Sequence, residues 1–268
     1  MHTGQPAKSE GNAEEAFLRQ LRQTFEHLPN DIPLYLFVGR AQDDVFAQAC
    51  RQVVRAFREL TSKITIKEYG LDHELAAKWG VDSSPTLLLD PERYHIRWLG
   101  APMGEEARPF LEAMILLGTG KSGMSEQSQT VIQRVDTPRQ VQIFTSPTCP
   151  YCPQQVVNAL RAAIERPDLI SLDIVDIQCR PDLADQYGAH SVPQAFANDV
   201  LIGQGAQQEE VFMASLNKLQ PQTIFIPEST EELVTVDVLV VGGGPAGLTA
   251  GIYTERSGLR QTKERKPL

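Results

Sequence analysis

Two cysteines stand two residues apart in Thr148-Cys149-Pro150-Tyr151-Cys152-Pro153. A pair at that spacing can cycle between dithiol and disulfide, hold part of a zinc site, or staple the backbone. Zinc needs further ligands, and the remaining candidates, Cys50, Cys179 and five scattered histidines, include no second paired spacing. A purely structural disulfide across so short a loop constrains the unfolded chain little. Redox cycling is the chemistry the neighbourhood favours. The apolar run Val141 to Thr145 precedes the pair and a helical pattern runs from Gln155 onward. The cysteines therefore lie where a strand hands over to a helix, whose unpaired N–H groups and positive dipole end stabilise a thiolate. Cys149 is the expected nucleophile and Cys152, one turn on, the expected resolving thiol.

The flanking residues have smaller expected roles. Pro150 stiffens the turn and suits a first helical position. Tyr151 is expected to be exposed between the cysteines, either against a substrate or as a plain surface tyrosine. No acidic residue stands in Val141 to Thr145, so the sequence identifies no general base. Cys50 shares a helix face with Phe46 and Val53, and Cys179 ends a strand before Arg180-Pro181; both read as small buried hydrophobes.

The elements that must position the pair follow from periodicity. After a lead-in, Met1 to Asn12, Ala16, Phe17, Leu21, Phe25 and Leu28 recur at helical spacing before Pro29. Strands are expected at Leu34 to Val38, Ile64 to Ile66, Thr86 to Leu89 and Tyr94 to Leu99. Asp43 and Asp44 open a helix to about Leu60, and further helices span Asp72 to Trp79 and Gly104 to Leu117. A linker rich in Gly, Ser and Gln, Gly118 to Gln133, leads into a second copy of the same order. That copy has strands at Val141 to Thr145, Ile170 to Val175, Gln194 to Ala197 and Val200 to Ile202, and helices at Gln155 to Ile164, Pro181 to Tyr187 and Gln208 to Leu219.

One constant shift in numbering takes Gly80 and Pro85 to Gly188 and Pro193. The same shift takes Ala41 and Asp44 to Cys149 and Cys152, so the first copy has the frame without the dithiol. Its expected job is to bind, orient or stabilise. The element order is that of the thioredoxin fold, which sets a cis proline beside its dithiol. Cis Val192-Pro193 and cis Ser84-Pro85 are therefore expected, and Val192, Pro193, Tyr151 and Pro150 are the expected substrate-binding residues.

With 268 residues, 41% of them apolar and 22% charged, the chain has enough material for two cores. The net charge of −9, with no compensating Lys/Arg block, excludes a nucleic-acid footprint. Met1 to Gly11 has no apolar secretory core. A cytoplasmic location follows as an expectation, with no membrane association and no bound metal.

The Cys149-Pro150-Tyr151-Cys152-Pro153 stretch in the second of two fused thioredoxin folds resembles the glutaredoxin-like protein disulfide oxidoreductases. A first fold without a dithiol instead resembles the amino-terminal domain of the alkyl hydroperoxide reductase flavoprotein subunit. The resemblance covers about Ala13 to Leu219, and Ala41 and Asp44 depart from the two-dithiol pattern of the oxidoreductases. Beyond it, Val236-Asp237-Val238-Leu239-Val240-Val241-Gly242-Gly243-Gly244-Pro245-Ala246-Gly247-Leu248 reads as a strand, a Gly-x-Gly-x-x-Gly turn and a helix start. It resembles the FAD-binding opening of thioredoxin reductases, with Gly242, Gly244 and Gly247 as the cofactor-contacting positions. The polar run Arg260 to Arg265 stands where a second apolar strand is expected, so the Rossmann start is read as incomplete.

The expected fold class is α/β: two tandem thioredoxin folds, a domain without the dithiol at 13–118 and one with it at 134–220, then a linker and truncated Rossmann segment at 221–268. The resemblance implies a thiol–disulfide oxidoreductase that passes electrons from a thioredoxin-reductase-like flavin centre, in cis or in trans, to a protein disulfide on a peroxiredoxin or thioredoxin. FAD and NADPH are expected of a full-length flavoprotein or a partner, with neither bound by this chain. A glutathione-linked reductase and a docking module with an incidental dithiol are the competing readings.

Overall fold

The computed structural model describes residues 7–41, 44–225, 236–241, 244–259 and 261–264. The first compact unit extends to Phe225 and the second runs from Ile226.

The first half of unit one contains α1 (Ala7–Glu26), β1 (Ile32–Val38), α2 (Val45–Leu60), β2 (Ile64–Gly70), α3 (Glu74–Lys78), β3 (Thr86–Leu89) and β4 (Ile96–Leu99). A 3₁₀ turn at Gly104–Glu106 then runs into α4 (Ala107–Thr119) and α5 (Glu126–Ile132). The second half contains β5 (Arg139–Thr145), α6 (Cys152–Glu165), β6 (Ile170–Asp176), α7 (Pro181–Tyr187), β7 (Gln194–Ala197), β8 (Val200–Gln204) and α8 (Glu209–Lys218).

All eight strands join in one sheet, ordered β2-β1-β3-β4-β6-β5-β7-β8. The halves meet in a parallel pairing of β4 with β6, from Ile96 opposite Leu172 to Leu99 opposite Val175. On one face of this seam Ile96, Trp98, Leu172 and Ile174 are buried and apolar, and on the other the half-buried Arg97 and Asp173 stand beside the buried Leu99 and Val175. Trp98, Leu172 and Ile174 are buried in a core shared by the two halves, where Trp98 meets Phe110 edge-to-face at 5.5 Å. Charges reinforce the seam: Arg97 donates twice to Asp173, each at 2.5 Å. Arg161 on α6 reaches Glu112 on α4 and Glu209 on α8.

Several expected boundaries move. The opening helix begins at Ala7, inside the expected lead-in, and β4 starts at Ile96 because Tyr94 closes a turn onto Asp90 O. The residue Asp43 lies outside the described residues; Asp44 caps α2, its carboxylate accepting from Ala47 N at 2.9 Å. The stretch expected as a linker contains α5. Ser125 caps that helix by accepting from Ser128 N, and it buries Ser128 and Ile132 while packing on α8. Helix α6 starts at Cys152 itself, three residues early, with Pro153 at a position whose N–H would be unpaired in any case.

Unit two consists of β9 (Val238–Val241), α9 (Pro245–Arg256) and β10 (Gln261–Glu264). The polar run read as ending the pattern forms β10, which pairs in parallel with β9 from Gln261 opposite Val238 to Glu264 opposite Val241. Backbone hydrogen bonding to an apolar neighbour places this strand, so the expectation that no second strand follows is corrected. Gly242 lies outside the described residues. Among the described residues no helix is long and apolar enough to cross a membrane.

Candidate active site

Strand β5 ends in the core and delivers a short loop whose turn places the two cysteines at the head of α6. They form a disulfide with Cα atoms 5.5 Å apart. Cys149 retains 8% exposure and Cys152 none, so only the first sulfur is open to an incoming partner. Cys152 N donates to Cys149 Sγ at 3.1 Å. The first turn of α6 contains no acidic residue to offset its positive end, and that field favours a thiolate at Cys149 on reduction.

The second expected group meets the dithiol here. The Val192-Pro193 bond is cis, and Val192 O lies 3.7 Å from Cys149 Sγ. Pro150 is exposed on the loop and Tyr151 stands 69% exposed beside it. Sulfur, carbonyl and tyrosine ring together form a solvent-facing rim against which an extended segment carrying a disulfide can lie.

The first half repeats this frame without its chemistry. Ser84-Pro85 is also cis. The Asp44 carboxylate, at the place corresponding to Cys152, accepts from Ser84 Oγ at 2.7 Å. Cys179 of the second half reaches over with its Sγ 4.0 Å from Ser84 O. Burial pushes its thiol up to about 12, helped by the nearby Asp176 and Asp44 carboxylates. Burial likewise pushes Cys50 up to about 12, with Cys179 next in effect. In the reduced chain at about pH 7, iodoacetamide should therefore label Cys149 while Cys50 and Cys179 stay thiols until the chain unfolds. Mapping the alkylated peptides by mass checks this, and early labelling of Cys179 would contradict it.

One residue of the site escaped sequence reasoning. Glu106 is fully buried on the 3₁₀ turn that packs on α6. That turn is fixed to the dithiol loop, because Glu105 N donates to Pro147 O at 2.8 Å. Gly104, at φ +57°, leaves room for the same carbonyl, which a Cβ there would meet at 2.4 Å. Burial pushes the Glu106 carboxyl up to about 8, and the Asp176 carboxylate pushes the same way. Trp98 Nε1, which donates to Glu106 Oε2 at 2.9 Å, and the Thr145 hydroxyl oppose them. The other half of the molecule thus sets a buried acid against the elements that carry the dithiol. The only sequence signal was an acidic pair, Glu105-Glu106, ahead of an apolar helix, a pattern that elsewhere marks a solvated helix start.

Among the described residues neither a metal nor a flavin finds a complete site. Among the described residues no three His, Cys, Asp or Glu side chains gather to hold a metal. Gly244 begins α9 and Gly247 lies in its first turn, which suits a phosphate. Yet Leu239, Leu248 and Ile252 are about half exposed or more, and nothing lies within 4 Å of a Cβ placed at Gly244. Among the described residues of this unit the head of α9 suits a pyrophosphate, and no element walls in the rest of a dinucleotide. The residues present do not fit a whole FAD.

Comparison with known proteins agrees with the geometry. A thioredoxin domain model matches residues 139–218. The F component of alkyl hydroperoxide reductase (AhpF) of Pseudomonas aeruginosa is 27% identical over 252 residues, covering 92% of this chain and 43% of that protein. The chain spans less than half the length of the curated relatives it matches. Among solved structures, AhpF of Enterococcus faecalis superposes with a TM-score of 0.65 at 25% identity, covering 75% of this chain and 98% of that one. A protein disulfide oxidoreductase from Aeropyrum pernix has the same fold at 23% identity, with a TM-score of 0.65 and coverage of 78% and 95%. On fold, dithiol and relatives together, the chain is a thioredoxin-fold protein with a Cys149–Cys152 disulfide that resembles the amino-terminal domain of the alkyl hydroperoxide reductase AhpF.

Proposed function

We propose that the chain is an electron relay. It takes electrons from a flavin-dependent, NADPH-linked reductase centre, in cis or in trans, and delivers them through Cys149 and Cys152 to a disulfide on a peroxiredoxin or thioredoxin. The observation that carries this reading is the asymmetry of the pair: one sulfur open beneath the Val192 carbonyl, the other sealed in the helix head. The division into folding units at 13–118, 134–220 and 221–268 belongs to the same reading, with the first unit as the scaffold that presents Glu106.

In the reduced chain the Cys149 thiolate attacks one sulfur of the target disulfide. That S–S bond breaks, and the leaving sulfur takes a proton from solvent. Cys152 then gives its proton to ionised Glu106 and attacks Cys149 Sγ. The mixed disulfide breaks and the second target sulfur leaves and is protonated by solvent. Two electrons have passed, with Cys149–Cys152 oxidised and the target reduced. An acceptor whose pKa lies near that of a thiol can take the proton and return it when the cycle reverses. Pro193, Val192, Tyr151 and Pro150 bind the target segment in this scheme.

The test is a choice of reductant. The oxidised chain is offered NADPH with a thioredoxin-reductase-type flavoenzyme, or glutathione with its own reductase, and thiol appearance on an oxidised peroxiredoxin is followed. Fast reduction by the flavoenzyme with transfer to the peroxiredoxin is the expected result. Reduction by glutathione alone would move the chain to a glutaredoxin-like role, and no reduction by either would leave it a docking module.

A further inference from the structure

Three buried polar atoms beside the dithiol loop have no partner within the protein: Glu106 Oε1, Thr145 Oγ1 and Asp176 Oδ2. All three residues have 0% exposure. Native interiors leave few such atoms, and these three are neighbours. Thr145 and Asp176 stand opposite one another where β5 pairs with β6, and both act on the Glu106 carboxyl. The other oxygen of each carboxylate is already used, Glu106 Oε2 by Trp98 Nε1 and Asp176 Oδ1 by Gln178 N at 2.9 Å. Backbone packs closely around the group: a Cβ on Gly100 would meet Asp176 Cβ at 2.7 Å.

A donor count shows what is lacking. With one of the two carboxyls protonated, its O–H donates to a water, and that water donates to the orphan oxygen of the other carboxyl and to Thr145 Oγ1, which gives all three atoms a partner within the two to four that a buried water takes. Two neighbouring carboxyls out of contact with solvent also cannot both ionise cheaply. We propose that Glu106, Thr145 and Asp176 bind one water molecule, and that the two carboxyls share a single proton through it, so that the acid serving Cys152 is a pair. Asp176 is then a positioning residue, acting through Glu106. This rests on the reading of Glu106 as proton acceptor.

The groups facing the pair come from every neighbouring element. Strand β4 contributes Trp98, β5 contributes Thr145, and the end of β6 contributes Asp176 itself, followed by Cys179 and Arg180, whose backbone N–H groups donate to Asp176 O. Helix α6, against which the turn packs, has no charged side chain in its first turn, and Glu105 and Arg108 beside Glu106 point to solvent.

The test follows the infrared carboxylic C=O band of the full chain against pH, in the unmodified protein, Asp176→Asn and Glu106→Gln. A shared proton gives one band per chain, whose midpoint falls by about one unit or more in Asp176→Asn, a tenfold loss of proton affinity. An unchanged midpoint overturns the pair while leaving Glu106 as acceptor. The acceptor reading is tested separately, by the pH profile of DTNB reduction in Glu106→Gln. A profile identical to that of the unmodified chain sinks that reading whatever the band does. A high-resolution crystal structure of the unmodified chain reads the water without any variant. Density within hydrogen-bond distance of all three atoms supports it, and carboxyls packed against each other with no water between them overturn it.

Discussion

A Cys149→Ser chain should reduce protein disulfides at least about a thousandfold more slowly than the unmodified chain, because removing a nucleophile removes the covalent route and not merely a contact. Cys152→Ser should fail differently. It keeps the open sulfur and the helix field that activates it, so it attacks once and stops, with the target held on Cys149. The 8% against 0% exposure of the two residues fixes which variant traps and which is silent. Serine changes little in volume, and the neighbours Val192 and Pro193 stay in place, so loss of activity will not reflect loss of fold. The measurement is intact mass after mixing each reduced variant with a disulfide-containing target. An adduct on Cys152→Ser and none on Cys149→Ser is expected. An adduct on Cys149→Ser instead would reverse the roles, and turnover by either variant would mean that the dithiol is incidental.

The sequence made the dithiol legible because its chemistry is local: two thiols, a strand before and a helix after. The cis bonds at Pro85 and Pro193 were legible through the repeat, since the same shift relates both prolines and the glycines before them. What escaped depends on partners far away in the chain. Helix α5 has the polar sequence EQSQTVI and buries only Ser128 and Ile132, so no periodicity announces it. Strand β10 is polar and exists through backbone pairing with β9. The joining of the halves through β4 and β6 is a tertiary choice between strands that each look like ordinary core strands. That choice also sets Glu106 of the first half beside the loop that leads to the dithiol of the second, a placement that no reading of β5 alone could find.

A buried acid of this kind leaves a mark on stability as well as on rate. The Glu106 carboxyl is raised from 4.5 to about 8, first by burial and then by Asp176. A carboxyl whose folded pKa lies above its unfolded one stabilises the fold fully below the unfolded value. That contribution is lost as pH rises through the folded one. The unmodified oxidised chain should therefore lose stability between about pH 4.5 and pH 8, by up to roughly 4 kcal/mol on the conversion of pKa shift to free energy. Asp176, also raised by burial, adds to the loss in the same direction. Glu106→Gln removes the charge that must be desolvated and retains an oxygen for Trp98 Nε1. Its stability should fall less steeply over that range, through Asp176 alone, lying below that of the unmodified chain on the acid side and above it on the alkaline side. Urea unfolding of the two oxidised proteins at about pH 5 and pH 9 gives the comparison, and a difference that does not change with pH would remove Glu106 from the group of raised acids. The stability lost on the alkaline side corresponds to a catalytic use, since the variant that gains it loses the acceptor for the Cys152 proton. A general base typically contributes about a hundredfold or more to rate. Stability gained and resolution slowed in one variant, both through the same ionisation, would tie the buried carboxyl to the dithiol more firmly than either effect alone.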